Sequence, residues 1–212
     1  MGELFKYDGW LSKLFRSIVD CVCLSVLWLV SSVPLITIGA STTALCYSVH
    51  KCIRNDYEGL WHEYWYSFRM NFKQATVVWC LLVVIYALLL GGCYSTYLLI
   101  VNQQLTSAYF FSLLIVTFMV SLWSSYLFPY IARFEITTGR MLRNCVWIAF
   151  RNILWSILLV IIWIAAVLCI LLIPEALLIV PAGCTLLSNI IVEHVFKKYM
   201  DPEECSNDGE FV

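Results

Sequence analysis

Four stretches without a single Asp, Glu, Lys or Arg dominate this sequence: 30 residues from Cys21 to His50, 59 from Gln74 to Ala132, 23 from Asn152 to Pro174 and 17 from Ala176 to Val192. A helix needs ~20 apolar residues, and ~17 at the least, to cross the hydrocarbon of a bilayer. These runs therefore have the dimensions of membrane spans. Of the 212 residues, 62% are hydrophobic and 13% charged, roughly half the charged share of a soluble domain. Surface-to-volume scaling leaves a soluble chain of this size unable to bury so much apolar surface, and lipid supplies the missing solvent. The expected fold is all-α: a polytopic membrane helix bundle of five or six transmembrane helices.

Three segments follow from the same pattern. Residues 1–20 form an amphipathic interfacial segment, with Trp10, Leu11, Leu14, Phe15 and Ile18 on one helical face and Ser12, Lys13, Arg16 and Ser17 on the other. Residues 21–200 form a single transmembrane bundle. Residues 201–212 carry five acidic side chains and no basic one, a tail expected to be disordered. Lys51 to Lys73 reads as a polar loop bearing an interfacial aromatic belt of Trp61, Tyr64, Trp65, Phe68 and Phe72. The run from Gln74 holds two spans divided near Asn102 and Ser107, and Asn152–Ile173 is another. Pro174 opens the last span, with Pro181 and Gly183 expected to kink it.

The distribution of Lys and Arg chooses between five and six crossings. With one initial crossing, ten basic residues lie on the cytoplasmic side and three outside; with a hairpin, all 13 lie inside. Six crossings, or four plus a re-entrant hairpin, are therefore favoured, with both termini inside. Pro34 and Gly39 break the first run into arms Leu14–Val33 and Ile36–Ile53.

Little in the sequence points to catalysis. Arg151, Glu175 and Glu193 fall at span ends, where they can snorkel to the interface. Buried acid–base pairs, HExxH and GxSxG are lacking, so no enzyme activity and no cofactor or metal is expected. The ten cysteines are scattered without CxxC spacing, consistent with small core or lipid-facing residues. No zinc spacing or basic arm suggests nucleic acid. Two groups are site candidates. Thr37, Gly39, Ser41, Thr42 and Thr43 form either a small polar site or a helix-packing motif, with the second weighted more heavily. Arg140, Arg143 and Arg151, with Trp147 among them, form a helical stripe that either docks anionic lipid or an acidic partner, or simply anchors topology, the last weighted most heavily.

The order Pro34-Leu35-Ile36-Thr37-Ile38-Gly39-Ala40-Ser41-Thr42-Thr43-Ala44-Leu45, followed by Phe68-Arg69-Met70-Asn71-Phe72-Lys73-Gln74, resembles the core of the YesL-like family of bacterial integral membrane proteins, a domain of unknown function. The opening Leu4-Phe5-Lys6-Tyr7-Asp8-Gly9 and the chain length fit that family as well. The resemblance implies a multi-pass protein of the bacterial inner membrane. It also implies a non-enzymatic accessory or regulatory role in carbohydrate uptake, with the lipid bilayer and sugar-transporter membrane subunits as partners. The alternative is a small transporter or channel for an uncharged solute. The family has no established site residues to carry over.

Overall fold

A computed structural model of the chain describes residues 10–54, 59–102, 107–134 and 136–197. The acidic tail, the first nine residues and residues 103–106 lie outside the described residues. The rest is helical, in the order α1 (Trp10–Ser31), α2 (Ile38–Ser48), α3 (Leu60–Val101), α4 (Ser107–Ile131), α5 (Thr138–Arg151), α6 (Ile153–Leu172) and α7 (Val180–Lys197). Three of these are long and apolar enough to cross a membrane: Leu60–Val101, Ala108–Ile131 and Ile153–Leu172; Ser17–Ser31 and Val180–Phe196 are shorter apolar helices. The fold is an all-α bundle of the kind a membrane accommodates, because each helix satisfies its own backbone polar groups.

The first charge-free run folds as a hairpin. Helix α1 runs without interruption from Trp10, across the expected boundary at residue 20, to Ser31. Pro34 is extended, at φ −76° and ψ 114°, and a short 3-10 turn, Leu35–Thr37, leads into α2. Proline and the restriction it places on its predecessor account for the break. Helix α2 has 11 residues, a rise of about 17 Å, and continues into a π turn over Val49–Arg54. Together the 17 residues of this return arm, Ile38–Arg54, sit at the lower limit for a crossing.

Helix α3 departs from the loop expected between Lys51 and Lys73. From Leu60 that segment is helix and runs unbroken into the span, 42 residues in all. This is about 63 Å long, about twice the hydrocarbon thickness. No Gly or Pro interrupts Leu60 to Leu90, and successive aromatics meet tilted or edge-on along it. The centroid separations are 6.2 Å for Trp61–Trp65, 5.4 Å for Trp65–Phe68 and 5.5 Å for Phe68–Phe72. Charge marked this stretch as polar; it does not stop a helix.

The last span also begins later than expected. Pro174–Leu178 is a 3-10 turn and the α-helix starts at Val180. Pro181 thus occupies the first turn, where a missing N–H costs nothing, and does not act as a mid-helix kink. The Ala182 N–H, which has no intrahelical partner expected at such a position, donates to Ser25 Oγ of α1 at 3.2 Å.

Two buried clusters hold the helices together. One joins Ala40, Ala75, Val78, Tyr126, Leu127, Met141, Cys145 and Val192; the other joins Leu24, Ala44, Leu45, Val49, Tyr64 and Ala182. The hairpin serves both, through Ala40 and through Ala44–Leu45. Helices α3 and α4 also meet directly: the Tyr86 hydroxyl lies 3.0 Å from Ser124 Oγ. Leu88, Tyr94, Tyr97, Tyr109, Phe111 and Ile115 are left exposed, a surface suited to lipid with tyrosines near its outer end.

Candidate functional site

The Thr37–Thr43 segment is tied inward. Thr37 Oγ1 donates to the carbonyl of Ser31 at 2.6 Å and is 2.7 Å from that of Pro34, which latches the bend between α1 and α2. Ser41, Thr42 and Thr43 each donate to the carbonyl four residues earlier, at 2.9, 2.7 and 2.9 Å. Hydroxyls back-bonded in this way have spent their single proton inside the helix. Thr42 Oγ1 also accepts from Trp28 Nε1 at 3.3 Å. Gly39 permits the closest approach. A Cβ there would lie 2.6 Å from both the Ala75 carbonyl oxygen and Trp79 Cβ of α3. Trp79 Nε1 in turn donates to the Leu35 carbonyl at 2.9 Å. Gly39, Ser41, Thr42 and Thr43 are buried and Thr37 half-buried, along a seam in which backbone approaches backbone at Gly39.

Titratable side chains gather where the return arm ends. Lys51 Nζ donates to Glu63 Oε2 at 3.0 Å and lies 3.3 Å from the Tyr47 hydroxyl. Glu63 is only 5% exposed. Sequence reasoning missed this pair. Its one signal was the single acidic residue in an aromatic helical stripe.

A second polar junction lies on α7. Asn189 Nδ2 donates to the Cys46 carbonyl at 3.0 Å, next to the π turn. One and two turns further along the same face come Glu193 and Phe196. The Arg133 guanidinium, just past α4, sits 5.6 Å over the Phe196 ring, and Tyr130 and Phe134 complete the aromatic wall. Asn189 is 2% exposed, so Asn189→Leu removes one of the donors to the buried Cys46 carbonyl, which keeps the Val49 N–H. The expected cost is about 1–3 kcal/mol, read as a lower melting temperature of the detergent-solubilised chain. Asn189→Gln, which retains a donor, is expected to lose less.

The arginine stripe lies on the opposite side of α5 from the core. Met141, Cys145, Ile148 and Ala149 are buried, whereas Arg140, Arg143 and Arg151 are exposed. Arg151 sits 4.7 Å over the Trp147 ring. Trp123 Nε1 donates to the Leu142 carbonyl at 3.2 Å, and Asn144 Nδ2 to the Tyr130 hydroxyl at 3.1 Å, both fixing α5 against α4. Thr137 precedes α5 and makes no side-chain cap. Among the described residues no three His, Cys, Asp or Glu side chains come together as a metal site.

A family model described as Protein of unknown function, DUF624, matches residues 21–92. Over that stretch the chain is similar to a family whose activity has not been assigned. The matched residues include the α1–α2 bend, Gly39, and the Ala75–Trp79 turn of α3 against which Gly39 packs. No curated protein and no solved structure matches the chain.

Proposed function

We propose that this chain is a multi-pass protein of the bacterial inner membrane that acts as a non-enzymatic accessory or regulatory component of carbohydrate uptake. Both termini and the basic segments lie on the cytoplasmic side. The observation that carries this reading is the closed seam at Thr37–Thr43. Its hydroxyl protons are consumed within α2, and Gly39 brings the backbones of α2 and α3 together. A solute path needs polar groups free to exchange with a hydration shell, and this seam instead welds helices to one another. The broad apolar exterior of α3, α4 and α6 offers surface to lipid and to the membrane subunits of a sugar permease. The link to carbohydrate uptake comes from the resemblance of the Thr37–Leu45 motif to the YesL-like proteins.

Affinity capture of the tagged chain from native membranes in mild detergent tests the role. Co-recovery of sugar-permease membrane subunits is the expected result. Recovery of the chain by itself, together with uptake of an uncharged sugar into liposomes containing only this chain, would replace the accessory role with transport.

A further inference from the structure

We infer that Arg69 and Lys73 of α3 hold the phosphate of an anionic phospholipid, whose acyl chain lies along Val77, Leu81, Val84 and Leu88. The proposal rests on the membrane setting of the chain and not on its role in carbohydrate uptake. Arg69 and Lys73 stand one turn apart on one face of the helix, and both are exposed. The opposite face carries Tyr64, Ser67, Ala75, Val78 and Leu82, all buried, so the pair cannot rotate inward. Among the described residues, neither side chain has a hydrogen-bond, ion-pair or ring partner. Glu63 is the only acidic residue of α3 and is engaged with Lys51, so no carboxylate on the helix offsets the two charges.

Beyond Lys73 the same face turns apolar without a break. Val77, Leu81, Val84 and Leu88 follow at steps of three and four residues, and all four are exposed. Lys73 is the last charged residue before the 59-residue run from Gln74 to Ala132. The two limits of that run lie side by side, since Gln74 Nε2 donates to the Ile136 carbonyl at 2.9 Å, just past the end of α4. The basic pair thus stands at the level where both helices of the run change solvent. Further along α3, Tyr94 and Tyr97 are exposed, about 30–35 Å past Lys73, and suit the opposite interface of a hydrocarbon layer about 30 Å thick. The guanidinium and the ammonium therefore lie at the depth of lipid phosphates, and the ridge beyond them at the depth of acyl chains. A guanidinium offers a phosphate two parallel N–H donors, and an ammonium adds a compact charge beside them. An acidic protein would meet only apolar side chains on this face past Lys73. A phospholipid matches both halves of it.

The test uses the full chain purified in neutral detergent, titrated with phosphatidylglycerol and phosphatidylcholine of the same acyl chains and read by native mass spectrometry. A basic side chain at a membrane surface contributes about fivefold in affinity for anionic lipid. The unmodified chain is expected to prefer phosphatidylglycerol by at least about tenfold. R69Q/K73Q is expected to bring the two lipids within about twofold of each other, and R69K/K73R to keep most of the preference. R140Q/R143Q, which removes the same charge from α5, is expected to keep it as well. Equal retention of the two lipids by the unmodified chain would overturn the proposal while leaving the membrane setting intact. So would a preference that survives in folded R69Q/K73Q, an equal loss in R140Q/R143Q, or a glutamate-rich peptide that displaces phosphatidylglycerol and takes its place. If R69Q/K73Q does not fold, the unmodified chain decides. Phosphatidylglycerol with a photoreactive headgroup is expected to crosslink within residues 66–77, and crosslinks confined to other segments would overturn the assignment.

Discussion

Gly39→Leu is expected to lower the stability of the detergent-solubilised chain by about 3 kcal/mol or more, at the upper end of what overpacking a core costs. For a chain of this size that corresponds to a fall in melting temperature of roughly 6–12 °C. A Cβ at residue 39 already lies 2.6 Å from the Ala75 carbonyl oxygen and from Trp79 Cβ. The first of these is backbone and cannot rotate away, so α2 must lift off α3. That motion would also strain the Trp79–Leu35 hydrogen bond of 2.9 Å and the Thr37 latch at the bend. Even Gly39→Ala should destabilise, against the usual helix preference for alanine. Gly183→Ala is the control: nothing lies within 4 Å of its Cβ position, and a neutral or slightly stabilising result is expected there. A thermal melt of the three variants side by side separates the close-contact account from a generic intolerance of glycine replacement.

The second large effect is expected at Tyr64. Its side chain is fully buried, at 0% exposure, among Leu24, Ala44, Leu45, Val49 and Ala182, so it links α1, α2, α3 and α7. Tyr64→Ala opens a cavity between four elements and is expected to cost about 3–5 kcal/mol, the range for deleting a buried aromatic ring. Tyr64→Phe keeps the ring and removes only the hydroxyl, which lies 2.5 Å from Ser31 Oγ. Ser31 donates its own proton to the Leu27 carbonyl at 2.7 Å, so it keeps a partner when the phenol is gone. A loss of about 1 kcal/mol is expected for that variant. If the two substitutions proved equally damaging, the hydroxyl pair and not the ring would be holding the four helices.

The hairpin was legible in the sequence because its cause is local. Pro34 cannot continue a helix, and the small residues from Gly39 onward announce close packing. The span beginning at Ile153 was legible for a similarly direct reason, since it follows the limit of a charge-free run, and the division near Asn102 follows polar residues inside another. The first third of α3 was not. Its helical spacing of aromatics was visible, but Glu63, Arg69 and Lys73 gave it the composition of a loop. What keeps it helical is tertiary: Tyr64 enters the core and Glu63 meets Lys51. Nothing near Glu63 in the sequence announces that Lys51, twelve residues earlier, returns on a π turn to pair with it. Pro181 failed in the other direction. A proline in an apolar run suggests a kink, but the 3-10 turn at Pro174–Leu178 moves the helix start to Val180 and makes Pro181 harmless. For the candidate sites, the sequence picked out both groups of residues but could not tell which faces were exposed. The α2 hydroxyls turn inward and the α5 arginines turn out, and that depends on which side of each helix meets its neighbours.

The central claim is that lipid is the solvent for the exposed apolar faces of these helices, and alkaline carbonate extraction of native membranes tests it most directly. The chain is expected to stay entirely with the membrane pellet and to enter solution only with detergent. Release into the aqueous supernatant as a folded, monodisperse helical protein would contradict it.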